Sequence, residues 1–430
     1  MFVSVDLGNS RLMMMAAERQ QDGLLNVLAI ETAETPIDSI QNGIIKKPSE
    51  IASKILEMTR KMENRLEAKL NKKYVITGLT FAVNGRSLRS IRGSVQHAFA
   101  SSVEIGASEL LMLQNELQEK TNIDKEIYLI TNEEYIIDGD YVRTPNNIVC
   151  REIVANYLIV AGRSDIRSNL DKCVNRVGLV DVDCSTLAPI AMADAVLSEE
   201  DKTEGVVHLN FGAATTTITV YQDGYLRHLA VVPFGGQHVT NDIRFINEDE
   251  LKITPLEAEQ LKVKYGEAVE VSAPKKLKLS SKPGAESRIV SSTDINKYIQ
   301  ARLAEIVMLC MKEVERSGYA NQLRAGVVLS GGATRMIQFK EFVEQQIDMP
   351  VRVGSFVHNL APESIEQYSD TEYTLLIGLL LNSTVDCVCE KSVEENRPIE
   401  PPVKQPGNKR KWFEKVVTLF DDPEESRIQD

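Results

Sequence analysis

Two stretches of this chain share one layout, and few folds accommodate both. Residues 206–236 read VVHLNFGAATTTITVYQDGYLRHLAVVPFGG. An apolar run at 206–211 enters a bend of small residues, Gly212-Ala213-Ala214. A β-branched run from Thr215 to 221 follows and turns at Asp223-Gly224 into a third apolar run, 226–232. This predicts strand, tight loop, strand, hairpin, strand, with Asp-Gly as the turn signal. The N-terminus repeats the opening: an apolar run through Val5, then Asp6-Leu7-Gly8, a polar bend at Asn9, Ser10 and Arg11, and a second apolar run to Ala16. Gly8 and Gly212 lie 204 positions apart. The spacing predicts a duplicated domain whose halves face each other across a cleft. Such loops leave backbone N–H groups near solvent, as an oligophosphate requires; taken singly, each is also compatible with an ordinary β-meander.

At 430 residues, 43% hydrophobic and 26% charged, the chain can bury substantial cores and should divide into two or more domains. A net charge of −13 argues against nucleic acid as a partner of the whole molecule. No run of 18 apolar residues occurs and the chain opens on a strand, so neither a membrane span nor a signal peptide is expected. The six cysteines have no metal-ligand spacing and are expected to be reduced, mostly buried thiols of a cytosolic protein; Cys387-x-Cys389 is a weak redox or metal hint.

Further phrases fall in order. Residues 48–70 predict a long amphipathic helix with Ile51, Ile55, Met58, Met62, Leu66 and Leu70 on one face. Residues 165–180 and 189–198 suit helices. Gly235 and Gly236 precede a capped helix, and residues 256–266 form another, bearing Glu259 and Lys262. Spaced by three, these two read on their own as a surface ion pair. Residues 269–288 predict an exposed hairpin or mobile loop, and 293–318 a long helix with Ile299, Leu303, Ile306, Val307, Cys310 and Val314 buried. A strand at 325–329 runs into Ser330-Gly331-Gly332-Ala333-Thr334-Arg335-Met336, where consecutive glycines let a base or ribose approach the backbone. Gly378 lies within an apolar helix at 371–381.

The two loops, the 256–266 helix and the Gly-Gly phrase together resemble the actin-like ATPase superfamily, an α/β fold of two duplicated, ribonuclease H-like domains. The resemblance implies that ATP is clamped by Gly8, Asn9, Ser10 and Arg11 on one side and by Asn210, Gly212, Ala213, Ala214 and Thr215 on the other. Gly235, Gly236, Glu259, Lys262, Gly331, Gly332, Ala333 and Met336 would complete the site. Asp6 would hold Mg²⁺ through water.

Between 85 and 161 a small α+β module is expected, carrying Glu134-Tyr135-Ile136-Ile137-Asp138-Gly139 and no phosphate loop. An early insert with this phrase is similar to the FtsA family of bacterial cell division proteins. The resemblance implies subdomain 1A at 1–84 and 162–203, an inserted subdomain 1C at 85–161, subdomain 2A at 204–238, and 2B at 239–315. Residues 316–385 complete 2A and return to 1A. It implies FtsZ, through its C-terminal peptide, as a partner of the 240–315 region, filament formation with other copies, and late division proteins as partners of the insert. Three departures stand out. Pro145-Asn146-Asn147-Ile148 replaces a Pro-x-Gly-Met turn, Ala188 stands where some actin-like filaments carry a water-orienting glutamate, and Asn210 replaces the aspartate of D-x-G-G-G-T. Asparagine keeps a carbonyl oxygen but is a poor base, so binding is expected to outlast turnover.

Residues 386–408 are rich in charge and proline and predict a flexible linker. Beyond it, at 409–422, Trp412, Phe413, Val416, Val417, Leu419 and Phe420 share an arc of roughly 160° at about 100° per residue. Lys409, Arg410, Lys411 and Lys415 against Glu414 give that segment a local charge of 4 − 1 = +3. The expected use is an interfacial helix, with aromatic anchors in the acyl boundary and lysines near anionic lipid headgroups at roughly 1 kcal/mol each. An acidic tail at 423–430 would stay in water. In the FtsA family this is the place of the membrane-targeting helix, which implies a peripheral position on the cytoplasmic side of the inner membrane at the division site. The competing expectation is an enzyme on the same fold, a kinase or a chaperone-type ATPase, which would need an acidic group facing the γ-phosphate and no amphipathic tail.

Removing 409–430, or combining Trp412→Glu with Phe413→Glu, is expected to abolish liposome co-sedimentation while nucleotide binding stays intact. Unchanged lipid binding would defeat the tether.

Overall fold

A computed structural model describes residues 1–120, 125–279 and 288–390. Phe2–Leu7, Arg11–Arg19 and Leu25–Glu34 form an antiparallel meander, and Gly78–Val83 and Asp181–Leu187 add in parallel beyond Phe2–Leu7. The second half repeats the order. Val206–Phe211, Thr216–Gln222 and Tyr225–Val232 make the meander, and Gly326–Ser330 and Val351–Val353 add in parallel beyond Val206–Phe211. The turn between the last two meander strands has positive φ at both Asp223 and Gly224, as a type I′ hairpin requires. The duplication expected from the loops is therefore present in sheet order and strand direction.

Two large cores form, and the first runs on from the first half into Val206, Tyr221, Leu229, Val231 and Val328 of the second. In the first, the helix Pro48–Leu70 buries Ile51, Ile55, Met58, Met62 and Leu66 and ends where Asn71 adopts φ 56°. In the second, the helix Ser292–Ser317 buries the expected stripe from Ile299 to Val314 and stops at Gly318. The strands Lys276–Lys278 and Ile289–Ser291 pair beside it. The strands Gly78–Val83 and Asp181–Leu187 have no counterpart in the sequence reading. The second, DVDCSTL, is polar and half-exposed, and only its partner strand makes it β.

The insert holds the helix Ala107–Lys120 and the strands Arg89–Glu104, Glu126–Ile137, Asp140–Val142 and Val149–Gly162 around its own core. The Asp138-Gly139 phrase is the hairpin turn, and the Asp138 carboxylate accepts from the Glu152 amide at 2.9 Å. Arg89 pairs with Ala230, so the inserted strands extend the second-half sheet to nine strands. That pairing covers what would otherwise be an open sheet edge.

Two helices, Ala188–Val196 and Thr374–Asn382, also join the halves and share a small apolar cluster of Ala188, Ala191, Met192, Leu375 and Leu379. A Cβ on Gly378 would lie 1.9 Å from the Ala191 carbonyl oxygen, so only glycine permits this crossing. Four of the six cysteines are buried thiols, with Cys184 half-buried and Cys389 exposed. No described helix is long and apolar enough to cross a membrane. The linker expected from 386 begins instead as a strand, since Val388–Glu390 pairs with Tyr74–Ile76, and 391–408 and the whole 409–430 segment lie outside the described residues.

Gly378→Ala should destabilise the chain by about 1–3 kcal/mol through overpacking against backbone. A urea midpoint equal to wild type would show that the helices are not in close contact.

Candidate functional site

The first loop is a tight reversal, since a Cβ on Gly8 would sit 2.5 Å from the Arg11 carbonyl oxygen. The Thr35 hydroxyl donates to the Gly8 carbonyl at 2.7 Å. The Asn9 side chain is committed to protein: its Nδ2 donates to Ile40 O at 3.1 Å and its Oδ1 accepts from the Gly43 amide at 2.9 Å. Ser10 is exposed on the bend. Asp6 and Asn84 line one narrow pocket beneath the loop. Protein atoms crowd the Asp6 carboxyl and raise its pKa to about 6, while Arg11 pulls the other way. Asn84 Oδ1 is buried without a hydrogen-bond partner.

On the opposite side, the Gly212 amide donates to Thr215 O at 3.0 Å, closing the second loop through Ala213 and Ala214. A Cβ on Gly235 would meet Gly212 O at 2.5 Å and Ala213 O at 2.8 Å. Gly236 N and Gln237 N then donate to those same carbonyls, which ties the loop to the start of the helix Gly236–Ile243. Lys262 Nζ reaches Gly236 O at 3.1 Å, Thr240 Oγ1 at 2.9 Å and Glu259 Oε2 at 2.7 Å. The expected Glu259–Lys262 pair is thus formed, with the lysine sunk against the glycine turn.

The third phrase locks onto the second loop. Gly331, at φ 90°, passes so close that a Cβ would meet Phe211 O at 2.5 Å and Asn210 Oδ1 at 2.8 Å. Ser330 Oγ donates to Asn210 Oδ1 at 3.0 Å and lies 2.7 Å from His208 Nε2. Burial holds the His208 pKa down at about 3, so the ring is neutral. With the Ser330 proton given to Asn210, the Nε2 tautomer must donate, which leaves the buried Nδ1 without a partner, as observed. Beyond Gly331 the backbone at Gly332 faces open space, Ala333 is half-buried, and the Met336 amide donates to Ala333 O at 3.0 Å.

Glu372 joins the halves. Arg11 donates to its carboxylate at 2.6 Å, and Arg335 lies 3.1 Å from the same oxygen and 3.3 Å from Asp370. The Thr334 and Thr371 hydroxyls are 2.7 Å apart. Loop one, Glu372, the Gly331 loop, loop two, the Gly235 turn and the Lys262 helix thus form one chain of contacts. Arg11, expected to face phosphate, spends its guanidinium on Glu372. Ala188 is fully buried between the crossing helices. Glu372, His208 and Asn84 carry no role in the sequence reading, and Ser330 and Arg335 figure there only as members of the glycine phrase. Only the acidic Asp370–Glu372 phrase facing Arg335 offered a signal, and it becomes one only once the chain is folded.

The family described as Cell division protein FtsA matches residues 207–378. The FtsA of Neisseria meningitidis serogroup B is 30% identical over 394 residues, covering 88% of this chain and 89% of the relative. The chain belongs to the FtsA family. The FtsA of Pseudomonas aeruginosa is 27% identical over 389 residues, covering 89% of this chain and 88% of the relative. Among solved structures, the PilM-PilN type IV pilus biogenesis complex matches with a TM-score of 0.59 at 14% identity, covering 88% of this chain and 97% of that one. MreB5 of Spiroplasma citri bound to ADP matches with 0.51 at 13%, covering 88% and 95%. These structures establish the actin-like fold, and the FtsA relationship makes this an actin-like cell division protein. Within that family fold, the connected loops above span the two halves.

The folded chain holds the Asp6 proton more tightly than the unfolded chain does. This group therefore contributes stability at low pH that is lost as pH rises from about 4 through about 6. Asp6→Asn should remove that decline, measured as urea midpoints across the window with chelator present. Identical slopes for both proteins would show an ordinary carboxyl.

Proposed function

We propose that the chain binds ATP with Mg²⁺ in the cleft between its halves, polymerises head to tail, and tethers FtsZ filaments to the cytoplasmic face of the inner membrane during assembly of the division machinery. The observation that supports this most is the contact chain from Gly8 to Lys262, in which the phrases assigned by resemblance to one nucleotide lie together. Backbone crossings at Gly8, Gly212, Gly235 and Gly331 leave no room for side chains, which suits loops that must lie close to phosphate and nucleoside.

The donor set suits Mg²⁺ held largely by water and phosphate. Asp6 supplies one carboxylate, Asn84 an unused carbonyl oxygen, and no cluster of three or more acidic, His or Cys ligands occurs among the described residues. Bound there, the ion would neutralise phosphate charge. Asn210 is engaged by Ser330 and carries no negative charge, and buried Ala188 offers no group to orient water. Nucleotide then acts as a clamp that favours the closed, polymerising form, and turnover is secondary. Subdomain 2B at 239–315 would receive the FtsZ C-terminal peptide, the insert would meet late division proteins, and the 409–422 segment would meet anionic lipid. Many weak tails on one polymer give avidity.

ATP with Mg²⁺ should bind while phosphate release stays very slow, and Asn210→Asp should leave that rate equal or raise it. No detectable ATP binding, or brisk wild-type hydrolysis, would overturn this reading.

A further inference from the structure

A cavity of about 940 Å³ lies where the inserted strand Arg89–Glu104 meets the second-half strand Tyr225–Val232 and the end of the helix Ser292–Ser317. It shares no lining residue with the cleft. Six of its lining residues are cationic, Arg86, Arg89, Arg92, Lys125, Arg227 and Arg316, against a single carboxylate, Glu313. In a chain of net charge −13 this concentrates a local field opposite in sign to that of the molecule. The groove is braced. His228 Nδ1 lies 2.9 Å from Ser90 Oγ on the insert and its Nε2 lies 3.3 Å from Glu313 on the helix. Arg92 donates to Ser317 O at 2.8 Å and lies over the Tyr319 ring, and Arg227 stacks on Tyr225 and Tyr319. Arg316 pairs with Glu313. Arg86 and Arg89 are exposed at the rim, and no described residue forms an ion pair with either. Leu158, Ala230 and Val231 give the site an apolar floor. An apolar floor under forked guanidinium donors suits an extended peptide that presents several carboxylates.

We propose that this groove is a receptor for an acidic peptide segment and that its occupant is the chain's own run 421–430. That run, DDPEESRIQD, carries five carboxylates and one arginine, a charge of 1 − 5 = −4, complementary to the groove. It can reach. Glu390, the last described residue, pairs with Tyr74, and the 89 − 74 = 15 residues from Tyr74 to Arg89 span at most about 54 Å. The 421 − 390 = 31 residues from Glu390 to Asp421 extend to about 100 Å. Tethering supplies an effective concentration on the order of mM, so modest ion pairing suffices for docking. Occupancy bridges the insert to the second half, and it stands apart from the nucleotide and membrane readings because it requires neither ATP nor lipid.

The sole tryptophan, Trp412, reports the position of the run. In the full chain with the exposed Cys389 and the half-buried Cys184 changed to Ser, an acceptor dye at Ser94→Cys should receive energy from Trp412. Arg86→Glu with Arg89→Glu should cut the transfer several-fold, as should replacing Asp421, Asp422, Glu424 and Glu425 with Lys. Combining the two sets should restore it, which a misfolded protein cannot do. Transfer indifferent to both reversals overturns the proposal. So does transfer indifferent to tail charge while added peptide of sequence 421–430 binds through Arg86 and Arg89, because the groove then serves another protein.

Discussion

The architecture depends on one backbone contact. Where Thr374–Asn382 crosses Ala188–Val196, Gly378 brings its α-carbon against the Ala191 carbonyl, with Leu375, Leu379 and Met192 packed around the crossing. The first core already reaches into the second half through Val206, Leu229, Val231 and Val328, and the helix crossing adds a second junction between two sheets of the same strand order. Packing at both places fixes how the halves sit against each other.

Within the cleft, glycine and polar contacts divide the labour. Glycines let one loop's backbone rest on another's, and a few polar groups fix the register. Glu372 draws Arg11 and Arg335 together across the halves, and the Asn210, Ser330 and His208 chain binds the second loop to the third. Asn210 accepts a hydrogen bond from the Ser330 hydroxyl and, as a neutral amide, adds no negative charge to the loop.

Charge is distributed as unevenly as the chemistry. The molecule is acidic, yet the junction of insert, sheet and long helix gathers six cations, and the basic 409–415 segment and the acidic run after it stand side by side in the chain. The insert is more than an appendage, since its first long strand closes the edge of the second-half sheet and forms one wall of that cationic groove.

What was legible beforehand rested on local chemistry. Asp-Gly turns, β-branched runs and the 3.6-residue stripes of 48–70 and 293–318 predict their own conformations, and two copies of one loop announced the duplication. The strand Asp181–Leu187 was not legible, because its residues are polar and its partner comes from a hundred positions earlier. The Arg89–Ala230 pairing, the Glu372 bridge and the cationic groove were hidden for the same reason. Asn9 read as a phosphate donor, yet folding placed Gly43 within its reach. The sequence by itself determined the parts, since secondary structure follows from neighbours a few residues apart. Only the tertiary structure decided which parts touch, because hydrogen bonds and ion pairs between distant positions depend on distances that no local pattern encodes.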